Sequence, residues 1–189
     1  MQTLQSSSSN QGTQTGSFGL GNARCHWCIQ WKRTVWSDES RILLYPVDGR
    51  RLVWRLQGER LEDKFTVKVL QAGGGSIHVW GAIWTGGRSQ LIRLQRNVNA
   101  VNYCDILHGF FTTTDLPAHC IFQQDNAPAH RSWMVSQMLE DLPIRVLPWP
   151  SRSPDLNPIE HVWDILGKRM QQCVCENLNQ LFNALTPVR

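Results

Sequence analysis

Apolar and polar positions follow two different periods along this chain once residues 1–23 are passed. That opening stretch is uncharged, rich in Ser, Gln, Gly and Thr, and shows no period, so it is predicted to be a disordered low-complexity tail. Alternation of period two then marks strands. Thr34 to Ser37 reads as a short strand ending at Asp38, and Arg51 to Arg55 as a second. Val67 to Leu70 and Ile77 to Trp84 flank a turn at Gly73-Gly74-Gly75, and Gln90 to Leu94 alternates as a further strand. Helical spacing appears at Val101, Ile106, Leu107, Phe110 and Phe111, which predicts a helix over Asn99 to Phe111 capped by Asn99. Cys120 to Gln124 is a strand running into Asp125. Arg131 to Leu142 is a helix with Trp133, Val135, Met138, Leu139 and Leu142 as its apolar stripe, stopped by Pro143. Ile144 to Leu147 is a strand. The proline-rich turn from Pro148 to Pro158 feeds a helix reaching about Met170, with Asn157 as N-cap and Pro158 in the first helical position. Its stripe is Ile159, Val162, Trp163 and Leu166, and Glu160, Asp164 and Lys168 share another face. Strands first, then helix, strand, helix, strand, helix: this order predicts an α/β domain, a mixed sheet with helices packed on it. The expected division is a tail over 1–23, a globular domain over 24–175 and a C-terminal segment over 176–189.

Composition supports a packed domain. Of the 189 residues, 41% are hydrophobic and 18% charged, below the usual quarter, and nine are tryptophans whose rings need burial or a partner. The net charge of +4 permits a nucleic-acid partner without requiring one. It is unevenly spread, with eight Lys or Arg against four acids over residues 24–60, which is either a binding face or a solvated one. The N-terminus lacks the apolar core of a signal peptide, and the longest apolar stretch, Ile77 to Trp84, is too short to cross a bilayer. Six cysteines then fit a reducing intracellular setting as free thiols. Cys25 and Cys28 have zinc-like spacing, but Cys173 and Cys175 do not supply the second pair that a four-ligand site needs.

The chemistry lies in where three acids fall. Asp38 and Asp125 each follow an apolar strand, and Glu160 sits in the first turn of a helix. Each has an ordinary explanation alone: Asp38 as a turn acid, Asp125 as the cap of the next turn, Glu160 as a capping-box residue or a complement to the helix dipole. Brought to one sheet edge, the three would repel one another unless a cation lay between them. An all-oxygen donor set favours Mg²⁺ or Mn²⁺ over zinc. Two such ions, roughly 3.5–4 Å apart, would clamp the attacking and leaving oxygens of a phosphoryl transfer. In that arrangement Asp38 bridges both ions, Asp125 holds one and Glu160 the other.

The flanking words are specific. They are Val35-Trp36-Ser37-Asp38-Glu39-Ser40-Arg41; Gly73-Gly74-Gly75-Ser76-Ile77 with Val79-Trp80-Gly81; Phe122-Gln123-Gln124-Asp125-Asn126-Ala127-Pro128-Ala129-His130; and Trp149-Pro150-Ser151 with Ser153-Pro154-Asp155-Leu156-Asn157-Pro158-Ile159-Glu160 and Trp163. In this order they closely resemble the mariner-superfamily DNA transposases of the Tc-one-like branch, over about Arg24 to Met170. The 34 residues from 126 to 159 that separate Asp125 from Glu160 match the interval marking that branch. The resemblance implies a ribonuclease H-like fold, two divalent ions (Mg²⁺ or Mn²⁺), and no small-molecule cofactor. It implies transposon-end DNA as partner, hydrolytic nicking, and attack of the freed 3′-hydroxyl on a TA target. It places the protein in the nucleus, away from membranes, and admits a homodimer. Residue by residue, Asp38, Asp125 and Glu160 match the catalytic, metal-binding acids. Asn126 and His130 match motif positions and are expected to support the metal-bearing loop, with a buried, satisfied His130 as the plainer alternative. Asp155 and Asp164 are assigned to capping and to the surface.

The family's paired helix-turn-helix modules find no counterpart in residues 1–23, and the chain stops soon after the Glu160 helix where family members usually continue. Two functional expectations therefore stand side by side: a working catalytic domain, or a catalytically silent transposon-derived remnant that at most binds DNA or a partner. A ribonuclease H-type nuclease on RNA–DNA hybrids is disfavoured by the 34-residue interval and by the proline-rich run from Ser153 to Pro158.

Overall fold

The computed structural model describes residues 26–44, 75–95, 98–151 and 153–186. The strands expected at Arg51 to Arg55 and Val67 to Leu70, and Gly73 and Gly74 of the glycine run, lie outside them. Strands β1 (Thr34–Leu43), β2 (Ser76–Trp84), β3 (Gly87–Arg88), β4 (Ile92–Leu94), β5 (Ile121–Gln123) and β6 (Arg145–Val146) form one sheet in the order β3-β2-β1-β5-β6, with β4 also paired to β2. The helices are α1 (Ile29–Lys32), α2 (Ala100–Thr113), α3 (Trp133–Glu140), α4 (Ile159–Gln171) and α5 (Leu178–Leu185), and Pro154–Leu156 makes a 3₁₀ turn. Strand β1 runs antiparallel to β2 and parallel to β5, and β5 runs parallel to β6, so the sheet is mixed as expected.

Alternating side chains send the sheet's apolar groups to two cores. Val35, Trp80, Ala82 and Phe122 pack on one face with Tyr103, Leu107 and Phe110 of α2 and Val135 and Leu139 of α3. Ile42, Ile77 and Val79 pack on the other with Ile159 and Trp163 of α4 and Leu181 and Leu185 of α5. Helix α5 has no counterpart among the predicted elements. Its eight residues hold a short stripe started by Asn177, whose Oδ1 accepts from the N–H groups of Asn179 and Gln180.

Two sequence expectations are corrected. Strand β1 does not end at Asp38 but continues to Leu43, because pairing with β2 is unbroken from Trp36↔Ile83 to Leu43↔Ser76. Backbone bonding carries the strand through Ser37 to Arg41, where the side-chain pattern loses its apolar alternation. Helix α3 is shorter than predicted, and Trp133 is not in its stripe, being 79% exposed. Ser132 caps the helix by accepting from the Val135 N–H, which sets Trp133 about 200° around the helix from buried Val135. Among the described residues no helix is long and apolar enough to cross a membrane. Cys28 is a free, exposed thiol, and its expected neighbour Cys25 lies outside those residues.

Candidate active site

Past Trp36↔Gln123 the parallel ladder between β1 and β5 stops, and side chains take over. The Ser37 N–H donates to Gln123 Oε1 (3.2 Å), and Ser37 Oγ donates to the Gln123 carbonyl (2.8 Å). Asn157, just ahead of α4, donates through Nδ2 to the Ser37 carbonyl (3.1 Å) and to Gln123 Oε1 (3.2 Å). Its Oδ1 accepts from the Ile159 N–H (3.2 Å) and its carbonyl from the Glu160 N–H (3.1 Å). All three acids sit beside this junction along the chain: Asp38 follows Ser37, Asp125 lies two residues beyond Gln123, and Glu160 three beyond Asn157. Extending the register of β1 and β5 by two residues sets Asp38 level with Asp125.

Asp38 lies on the α4 side of the sheet, where its Oδ2 accepts from Trp163 Nε1 at 3.1 Å. Its partner in β2 is Gly81. A Cβ there would come within 3.1 Å of both Trp163 Cη2 and Leu91 Cδ2, so a bare backbone is what lets the indole lie against the strand and reach Asp38. Burial, then the charges of Glu39 and Glu160, push the Asp38 carboxyl up to about 7, against the hydrogen bonds that hold it. Glu160 is itself raised by burial and by Asp164, which is exposed as expected. The structure therefore brings Asp38 and Glu160 within electrostatic reach of each other.

Asp125 is turned to a different partner. Its Oδ1 lies 2.6 Å from Nδ1 of His130 and accepts from the Ala127 N–H at 2.9 Å. The other ring nitrogen of His130 is 3.3 Å from Oε1 of Glu39. Both imidazole nitrogens thus face a carboxylate. Burial pulls the His130 pKa down, but Asp125 and Glu39 together carry it up to about 9. His130 in turn holds Asp125 below the ordinary carboxylate range. The ring is 4% exposed and stacks on Tyr103 at 3.9 Å, whose hydroxyl donates to Gln124 Oε1. Asn126 donates through Nδ2 to the Trp149 carbonyl (2.7 Å), tying this loop to the segment that leads into α4.

As it stands, then, Asp125 shares an edge with Asp38 while its carboxylate faces His130. Among the described residues no three acidic, His or Cys side chains are grouped closely enough to hold a metal ion. Helix α4 starts at Ile159, one residue later than predicted, and the 3₁₀ turn bearing exposed Asp155 has no side-chain cap. Sequence reasoning missed Glu39, Gln123 and Gly81, and the link from Trp163 to Asp38. Gln123 left one signal: a polar residue in a buried slot of an otherwise apolar strand.

A mixed sheet with one carboxylate within its central strand, a second just beyond the neighbouring parallel strand and a third on the helix packed beside them defines a ribonuclease H-like nuclease domain. The chain belongs to the DDE superfamily of endonucleases, whose family profile matches residues 33–181. Over 171 residues it is 36% identical to the transposase of the transposable element Tc1 from Caenorhabditis elegans, an alignment covering 86% of this chain. The chain spans 61% of that relative's length. In fold it matches a Mos1 strand transfer complex with a TM-score of 0.71 at 23% identity, over 86% of this chain and 48% of the other. It also matches a Mos1 transposase catalytic domain solved with raltegravir and Mg, at a TM-score of 0.60 and 20% identity over 86% and 73%. Both confirm the expected ribonuclease H-like architecture.

Proposed function

We propose that this chain is the catalytic part of a cut-and-paste DNA transposase, cleaving and joining DNA strands by phosphoryl transfer at Asp38, Asp125 and Glu160. The observation that carries the reading is the buried junction of Ser37, Gln123 and Asn157, which sets Asp38, Asp125 and Glu160 within three residues of one point, with the charge of Glu160 bearing on Asp38. The order of the flanking motifs and the likeness to the Tc1 transposase support DNA as the substrate class.

The residues fit a divalent metal. The donors are carboxylate oxygens, which suit Mg²⁺ or Mn²⁺. The Asp38 carboxyl is raised first by burial and then by the charges of Glu39 and Glu160, and a cation would relieve both. Asp38, Asp125 and Glu160 would hold it, with two ions proposed in all. When bound, the metal supplies an activated oxygen nucleophile at neutral pH and stabilises the departing oxyanion. The chain's own groups prepare the ligands. Trp163 fixes one oxygen of Asp38, and His130 keeps Asp125 ionised so that no proton need leave before ligation. Asn126 anchors the loop that carries Asp125. The net positive charge favours a phosphate backbone, and that part of the affinity falls as salt rises.

The test is plasmid or transposon-end nicking by the full 189-residue chain with Mn²⁺ or Mg²⁺, beside Asp125→Asn. The expected result is metal-dependent nicking that the variant reduces to the level of the protein-free control. Equal, negligible activity from both would sink the reading, and cleavage confined to the RNA of a hybrid would replace it with a ribonuclease activity.

A further inference from the structure

Gln123 has an unusual position for an amide. It is 0% exposed, at the end of a strand whose neighbours Ile121 and Phe122 are buried and apolar. Its Nε2 has no hydrogen-bond partner among the described residues, a cost that an apolar residue would avoid. Core stability alone does not favour glutamine here. What the amide does is accept, through one oxygen, from two segments that otherwise meet nowhere in the backbone ladder: Ser37 of β1 at 3.2 Å and Asn157 ahead of α4 at 3.2 Å. Asn157 closes the ring by donating to the Ser37 carbonyl, while its Oδ1 and carbonyl receive the first N–H groups of α4. Ser37, Gln123 and Asn157 are all buried.

We infer that Gln123 and Asn157 are positioning residues that set the spacing of Asp38, Asp125 and Glu160 and so create the affinity for metal. The inference rests on the proposed metal site. Its physical basis is that each acid lies one to three residues from the clasp, so the clasp sets where each carboxylate's backbone starts. Strand pairing cannot do this, because the β1–β5 ladder has ended and α4 belongs to no ladder. Neither amide touches the metal. They act as the outer partners of metal ligands do, and loss of such partners typically weakens binding about 10–100-fold.

Calorimetric titration of the full chain with Mn²⁺ tests this, in the absence of DNA and below the melting temperature of every variant. Gln123→Met keeps the volume and removes the acceptor. It is expected to raise the Mn²⁺ Kd about tenfold or more, with an unchanged circular dichroism spectrum. Asn157→Ala should do the same, and the double variant should be weaker by less than the two single effects combined, since the residues share one bonded cluster. A side chain that merely fills the core would lower the melting temperature and leave the Kd alone. Folded Gln123→Met and Asn157→Ala proteins with the wild-type Kd would overturn the inference. If Gln123→Met does not fold, Asn157→Ala and Asn157→Ser, both of which lose the two Nδ2 bonds, carry the same comparison, and failure of all three to fold would show a folding role and likewise overturn it. Absence of Mn²⁺ binding to the wild type, or its survival in Asp38→Asn, would instead sink the proposed site and the clasp's role with it.

Discussion

Asp38 and His130 are both shifted upward, Asp38 chiefly by burial and His130 by its two carboxylate partners, and the fold sets both. The Asp38 carboxyl moves from 3.8 to about 7 through burial and its acidic neighbours. Between those values the folded state binds more protons than the unfolded one, so metal-free protein loses stability from this group as pH rises through the window. Asp38→Asn should therefore stabilise the metal-free protein at pH 8 by on the order of 2 kcal/mol, several degrees in melting temperature. It should also flatten the slope between pH 4 and 7. An unchanged or lower melting temperature at pH 8 would contradict the cause given. His130, raised from 6.5 to about 9, contributes stability that is present in full below 6.5 and lost as pH rises through 9. The lowered Asp125 contributes stability above its ordinary value that is lost in acid. The sequence supplied His130 as a motif position but not its two carboxylate partners. Glu39 faces away from Asp38 because successive strand residues point to opposite faces, and that puts it beside His130.

At the level of elements, β2 and α4 meet through a missing side chain. Gly81 was legible as part of a Trp-Gly motif, yet nothing in that pattern says which ring lies over it. In the structure it is Trp163, which reads in sequence as an ordinary member of a helical stripe. Gly81→Ala should crowd the indole and Leu91, at a cost of about 1–3 kcal/mol from overpacking, and lengthen the bond from Trp163 to Asp38. Urea denaturation followed by tryptophan fluorescence would measure the loss, and wild-type stability would show that the ring gives way freely. The reach of β1 beyond Asp38 is of the same kind. Polar side chains from Ser37 to Arg41 hide the strand from a reading of apolar alternation, while eight ladder partners in β2 hold it.

For the molecule as a whole, the site ties together the two faces of the sheet. Asp38 and Glu160 lie with the α4–α5 core, whereas Asp125 leans through His130 toward Tyr103 of the α2–α3 core. A metal that draws Asp125 to Asp38 would join the two layers. At a hundred times its Kd, Mn²⁺ should add about 2.7 kcal/mol and raise the melting temperature by roughly 5–10 °C. Asp125→Asn should reduce that shift. No shift at saturating Mn²⁺, by differential scanning calorimetry, would count against a site assembled from both faces.

The sequence alone determined the mixed α/β class, most of the strands and helices, and the three acids with their spacing. Those features are written in local period and in chain order, which need no knowledge of what packs on what. Only the tertiary structure decided that Asp38 sits within a continuous strand, that Glu160 rather than Asp125 bears on it, and that Asp125 is occupied by His130. It alone assembled Ser37, Gln123 and Asn157 into one clasp. Apart from the local pair of Asp125 and His130, these are contacts between segments separated by 34 to 125 residues, as the bonds of Asn157 to Gln123 and of Trp163 to Asp38 illustrate. Side-chain direction and sheet register create them, and neither has a signature in the order of residues along a single segment.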